Sequence, residues 1–82
     1  MHQYEIIDRV NKVLQQELDV PEGMLIEQES HILNDLGADS LGSVEIILCM
    51  EEEFGIEIND NDIDKIHKVK DIVKVVGDLL GR

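Results

Sequence analysis

Apolar residues recur at steps of three and four along three parts of this chain, and each recurrence predicts a helix. Tyr4, Ile7, Val10, Leu14 and Leu18 form one stripe, widened by Ile6 and Val13, over about residues 3–17. The cluster Asp19-Val20-Pro21-Glu22-Gly23 ends it, because proline cannot continue the ladder and glycine favours a turn. A long stretch follows in which Met24, Ile26, Ile32, Leu33 and Leu36 are spaced irregularly among polar residues. That spacing predicts a loop pinned to the core by separate apolar anchors, and a loop of this length inside a small domain calls for a functional reason.

The second helix is expected over residues 40–54, and at about 100° per residue its apolar positions split into two stripes. Ser43, Ile46, Ile47, Met50 and Phe54 share one side and read as core. Leu41, Val44 and Leu48 lie nearly opposite, with Glu45 and Glu52 along one edge and Glu51 along the other. An apolar strip rimmed with carboxylates on a small protein marks a contact surface, unless it packs beneath the loop or another helix. Gly55-Ile56-Glu57-Ile58 leaves this helix, and Asn59 or Asp60 caps a short third one expected to run to about Ile66, with Asp62 reaching back and Ile63 and Ile66 inward. Val69, Ile72, Val73, Val76, Leu79 and Leu80 predict a last helix over residues 69–80, with Gly81 where helices stop. The expectation is an all-α fold in a single domain, residues 1–82, with a long first loop and a short third helix.

The stretch Leu36-Gly37-Ala38-Asp39-Ser40-Leu41 opens the second helix. Gly37 is able to take a positive φ, Asp39 has a short acceptor suited to an N-cap, and Ser40 then falls at the first helical position. A helix start has unpaired N–H groups and the positive end of the dipole, so a phosphate ester on Ser40 is electrostatically favoured there.

Composition sharpens this picture. The chain of 82 residues is 43% apolar but 2% aromatic, so its core is built from Ile, Val, Leu and Met. A formal net charge of −12, from 19 acidic against 7 basic residues, excludes nucleic acid as a partner and argues against anionic membranes, in favour of proteins with basic patches. The plainer account is that this acidity keeps a small protein soluble. A single cysteine cannot form an internal disulfide, and no signal peptide or long apolar span is visible, which places the expected compartment in the reducing cytoplasm with no stable membrane insertion. Cys49, between Leu48 and Met50 with no histidine near in sequence, reads as a semi-buried structural thiol.

Asp60, Asp62 and Asp64 alternate like the start of a calcium loop, with Asp71 at the closing distance. Lys65 stands where such a loop needs glycine, so the reading is a capped acidic helix and no metal site. Serine catalysis is set aside on similar grounds. A nucleophilic Ser40 needs a base and an oxyanion hole in a cleft, and of His2, His31 and His67 only His31 sits in the loop that could approach it.

Asp39-Ser40-Leu41, preceded by Asp35-Leu36-Gly37-Ala38 and followed by Val44-Glu45 and Glu51-Glu52-Glu53-Phe54-Gly55-Ile56-Glu57-Ile58, resembles the type II acyl carrier proteins over nearly the whole chain. The resemblance implies a four-helix bundle of the acyl-carrier type, not an enzyme. Ser40 would receive a covalent phosphopantetheine arm whose thiol carries an acyl group, with Asp39 and Leu41 beside it. Leu41, Val44, Glu45, Leu48, Glu51 and Glu52 would meet the phosphopantetheinyl transferase and acyl-processing enzymes through their basic patches, the carrier itself being a monomer. Gly42, Asn34, Asn59 and Lys68 depart from the common fatty-acid pattern, Lys68 standing where a threonine cap is frequent. Gly42 lies closest to the site and leaves two cargoes open: fatty acyl chains, which the remaining motif resembles, or the cargo of a specialised pathway such as D-alanyl or polyketide transfer.

Overall fold

The computed structural model describes residues 2–18, 26–37 and 40–81, for Ser40 the backbone alone. Those residues form four helices: α1 (Gln3–Leu18), α2 (Ser40–Phe54), α3 (Asp60–Ile63) and α4 (Val69–Leu80). α1 packs against both α2 and α4, and α2 also touches α4. Their shared interior contains Leu14, Ile46, Met50, Ile72, Val10, Val69 and Val76, all below 2% exposure, and among the described residues no polar or charged side chain is buried with them. The interior is aliphatic but for Met50 and Phe54, as the composition requires.

The inward face of α1 is rotated from the expected stripe. Ile6, Val10, Val13 and Leu14 are buried, Ile7 and Leu18 only partly, and Tyr4 is 77% exposed. Tyr4 instead stacks on His2, ring centroids 5.1 Å apart, outside the core. A phenol ring tolerates this position because one end of it is polar. The predicted anchor Met24 falls outside the described residues.

Arg9 joins α1 to the end of α2. Its guanidinium donates to the Glu53 carboxylate at 2.6 and 2.8 Å and to the Glu53 carbonyl at 2.6 Å, and it sits 4.8 Å from the centroid of the Phe54 ring. That carbonyl is among the last four of α2, which have no partner within the helix, and a cation there also suits the dipole. Gly55 follows with φ 64°, and the Ile56 N–H reaches back to the Glu51 carbonyl at 3.1 Å, the six-to-one bond of a Schellman stop.

α3 is shorter than expected, ending at Ile63 instead of Ile66. Asn59 caps it, its side chain accepting from the Asp62 N–H at 2.9 Å. Beyond Ile63 the N–H groups of Lys65 and Ile66 bond three residues back, to Asp62 and Ile63, a tightened turn that releases the chain toward the loop.

α4 begins without a Ser or Thr cap, and the loop supplies what is missing. The N–H groups of Val69 and Lys70 donate to the carbonyls of Ser30 and Gln28 at 3.1 and 2.9 Å, Ile32 N–H donates to the His67 carbonyl at 3.0 Å, and His31 and Lys68 form an isolated antiparallel bridge. Lys68 and Lys70 both hold Glu29, at 3.1 and 2.7 Å. These contacts, with the hydrogen bond to Lys70 foremost, hold the Glu29 carboxyl below its ordinary pKa, although exposure and salt screen them.

One oxygen of Asp71 accepts from both the Lys68 and His67 N–H groups, at 2.9 and 3.0 Å. Burial pushes the Asp71 carboxyl up, but these two backbone donors and the neighbouring His67 and Lys70 outweigh it and leave the pKa below the usual 3.8. A depressed carboxyl stabilises the fold above its unfolded pKa and loses that contribution as pH falls through the folded one. Asp71→Ala should therefore cost about 0.5–2 kcal/mol at pH 7, the usual worth of a cap. The difference from wild type in chemical denaturation should close progressively below about pH 4.

Candidate functional site

The loop ahead of α2 is folded locally. His31 carbonyl accepts from the N–H groups of Asp35 and Leu36 at 2.8 and 3.2 Å, and the Asp35 carboxylate accepts from His31 N–H at 2.7 Å. Leu36 is buried and Gly37 follows at φ 75°, a conformation that glycine adopts at little cost. Three residues later Ser40 begins α2, the place that the spacing predicts. Asp39, the expected cap, lies outside the described residues. The first turn of α2 contains no acidic residue, so within the helix nothing offsets the positive end of its dipole.

Both predicted stripes of α2 exist. Ile46, Ile47, Met50 and Phe54 are buried, with Ser43 half-buried beside them, while Leu41 is 67% exposed and Val44 and Leu48 are each 54% exposed. The strip therefore faces solvent and is not packed beneath the loop. Leu33, expected as a core anchor, is instead 46% exposed.

A cavity of about 460 Å³ opens beside this strip. Ser43, Val44, Ile46, Ile47, Leu48 and Glu51 of α2 form one wall. Ile32 and Leu33 of the loop, Ile58, and the segment holding Ile63, Ile66 and His67 form the other. Ser40 belongs to the same helix face, since Ser43, Val44, Ile47 and Glu51 follow it by three, four, seven and eleven residues. The floor is apolar: Ile32, Ile46, Ile47 and Ile58 are all 7% exposed or less. The loop wall is held by the backbone ladder to α4 and by the His31 and His67 rings, 6.3 Å apart between centroids.

The residues around Ser40 suit a phosphodiester-linked arm, because Ser40 stands at the positive end of a helix dipole with no acidic residue in the first turn, and an apolar cavity begins one turn along the same face. The model for the phosphopantetheine attachment site matches residues 8–76. The chain is also 43% identical over 74 residues to the acyl carrier protein of Campylobacter lari, covering 90% of this chain and 95% of that protein. The chain belongs to the acyl carrier protein family. Its role is accordingly that of a carrier and not an enzyme, with phosphopantetheine as its covalent group.

Other residues of this carrier stand apart from that chemistry. Cys49 is half-buried, and burial first, then the hydrogen bond with Glu17 and the charges of Glu17, Glu52 and Glu45, pushes its thiol above the ordinary pKa, as for a structural cysteine. Asp60 and Asp62 lie in the capped α3, and among the described residues no three potential ligands come together as a metal site. Sequence reading did not identify the roles of Leu33 and His67 in the cavity. Leu33 was legible only as an apolar residue in a loop, and His67 carried no local signal, since a backbone bond to a residue 35 positions away places it.

Proposed function

We propose that Ser40 bears the phosphopantetheine arm and that the carrier presents fatty acyl chains to biosynthetic enzymes. When bound, the group supplies a thiol for a thioester. The protein contributes the helix start that holds the phosphate and the apolar cavity that shelters the chain. The single observation that favours fatty acyl cargo is that cavity, about 460 Å³ and floored by four isoleucines on the face that Ser40 begins. A cargo as small and charged as D-alanyl would draw nothing from it, whereas each methylene buried is worth about 0.8 kcal/mol.

Leu41, Val44 and Leu48 form the docking strip in this reading, with Glu45 and Glu52 as its acidic rim toward basic partner surfaces. No helix among the described residues is long and apolar enough to cross a membrane, in keeping with a carrier that meets its enzymes in the cytoplasm.

Incubation with a phosphopantetheinyl transferase and coenzyme A should add the mass of one arm, located on Ser40 by peptide mapping. Ser40→Ala should keep the helical circular-dichroism spectrum of the parent and gain no mass. An arm found on Ser30 or Ser43 would overturn the assignment.

A further inference from the structure

Glu51 reads from the sequence as one of the carboxylates that rim the docking strip, yet the structure turns it toward a different task. It is half-buried and lines the cavity, and its carboxylate accepts a part-buried hydrogen bond from the Ile58 N–H at 2.8 Å. Ile58 belongs to the opposite wall of the same cavity and is 6% exposed. The bond therefore joins two lining residues of the cavity and ties α2 to the segment leading into α3.

Its place along the cavity is fixed by helix geometry. Glu51 lies eleven residues beyond Ser40, which is three turns plus about 20° of rotation and about 16 Å along the axis. It is the α2 lining residue farthest from the point where cargo would enter. A hydrocarbon running down this face meets floor residues that are all apolar, then a charged group engaged with backbone. Passing it would require breaking that bond and burying an unpaired polar group, a cost that further methylenes do not recover.

We propose that the Glu51–Ile58 tie is the end-stop of the cavity and sets the longest acyl chain the carrier shelters. This rests on attachment at Ser40 and on entry of the chain between the walls. Chains up to the tie are covered along their whole length. Longer ones leave their excess methylenes in water.

The test loads the phosphopantetheinylated protein with a series of saturated acyl chains and records Tm for each. In the wild type, Tm should climb by up to about 3–6 °C per added methylene and then level off at one chain length. Glu51→Gln, whose amide oxygen still accepts from Ile58, should level off at the same length. Glu51→Leu and Glu51→Ala remove the tie, and whichever of them folds should level off at least two carbons later. In the wild type itself, the Ile58 amide resonance should hold steady along the series and shift abruptly at the first chain that reaches the tie.

A plateau that stays at the wild-type length in the Leu or Ala variant would overturn the end-stop, as would a Gln variant shifted as far as Leu, or an Ile58 amide blind to chain length. A wild-type Tm indifferent to every chain would overturn sheltering itself. A missing arm on Ser40 would overturn the attachment reading before either question arises.

Discussion

Leu14→Ala should lower Tm by at least about 8 °C, the most damaging single truncation expected in this protein. Leu14 is 0% exposed in the interior where α1 meets α2 and α4. Truncating a buried leucine removes its transfer free energy and leaves a void that close-packed neighbours fill only in part, a cost of about 2–5 kcal/mol. A domain of this size has a total stability on the order of 5–15 kcal/mol and loses about 4–8 °C of Tm per kcal/mol. The effect is therefore a large share of the whole. Leu41→Ala is the matched control, since Leu41 is 67% exposed and its truncation should change stability by no more than about 0.5 kcal/mol. Thermal melts of the two variants followed by circular dichroism decide the matter, and equal losses would mean that Leu14 is not where the interior lies.

The same leucine at position 41 should behave in the opposite way toward partners. Leu41→Ser is expected to weaken modification by a phosphopantetheinyl transferase about tenfold or more in kcat/KM, with Tm unchanged. Exposed apolar side chains on a small protein lose nothing in stability when made polar, but as buried centres of an interface they carry most of its binding energy, and tenfold corresponds to about 1.4 kcal/mol. Leu41 is the clean probe because Val44 and Leu48, its companions in the strip, also line the cavity, whereas Leu41 does not. The acidic rim should respond differently. Glu45→Lys with Glu52→Lys should slow association by a factor that shrinks as salt is added, because exposed ion pairs are weak and screened beyond about 10 Å at 0.1 M. Full activity of Leu41→Ser at every salt concentration would remove the strip from the docking surface.

The acidic residues of α2 thus divide by position on the helix wheel. Glu45 and Glu52 fall on the outer edge of the exposed strip, at about 140° and 120° from Ser40, whereas Glu51 falls at about 20°, between the two apolar stripes. A carboxylate between two apolar stripes needs a partner, and Ile58 N–H is the one it finds. That anomaly was legible in the sequence. Its resolution was not, because the donor lies beyond a chain reversal at Gly55.

The sequence by itself determined the helices and the place of Ser40. The bounds of α2 and α4 follow from apolar spacing and from glycines at 37, 55 and 81, signals that act within four or five residues along the chain. The exposed strip of Leu41, Val44 and Leu48 was equally legible, because two stripes on opposite sides of one helix cannot both face a single core. The rotation of α1, the early end of α3 and the cavity were decided by tertiary structure alone. Periodicity gave the stripe of α1 a width but not a centre, which contact with α2 and α4 moved onto Ile6, Val10 and Val13. α3 stops at Ile63 because the following residues are drawn out to pair with the loop, and α4 begins without a Ser or Thr cap because that loop lends it the carbonyls of Ser30 and Gln28. The cavity joins residues 32–33, 43–51 and 58–67, segments that no local rule relates, so its volume and its polar end exist only once the loop has been tied to the start of α4.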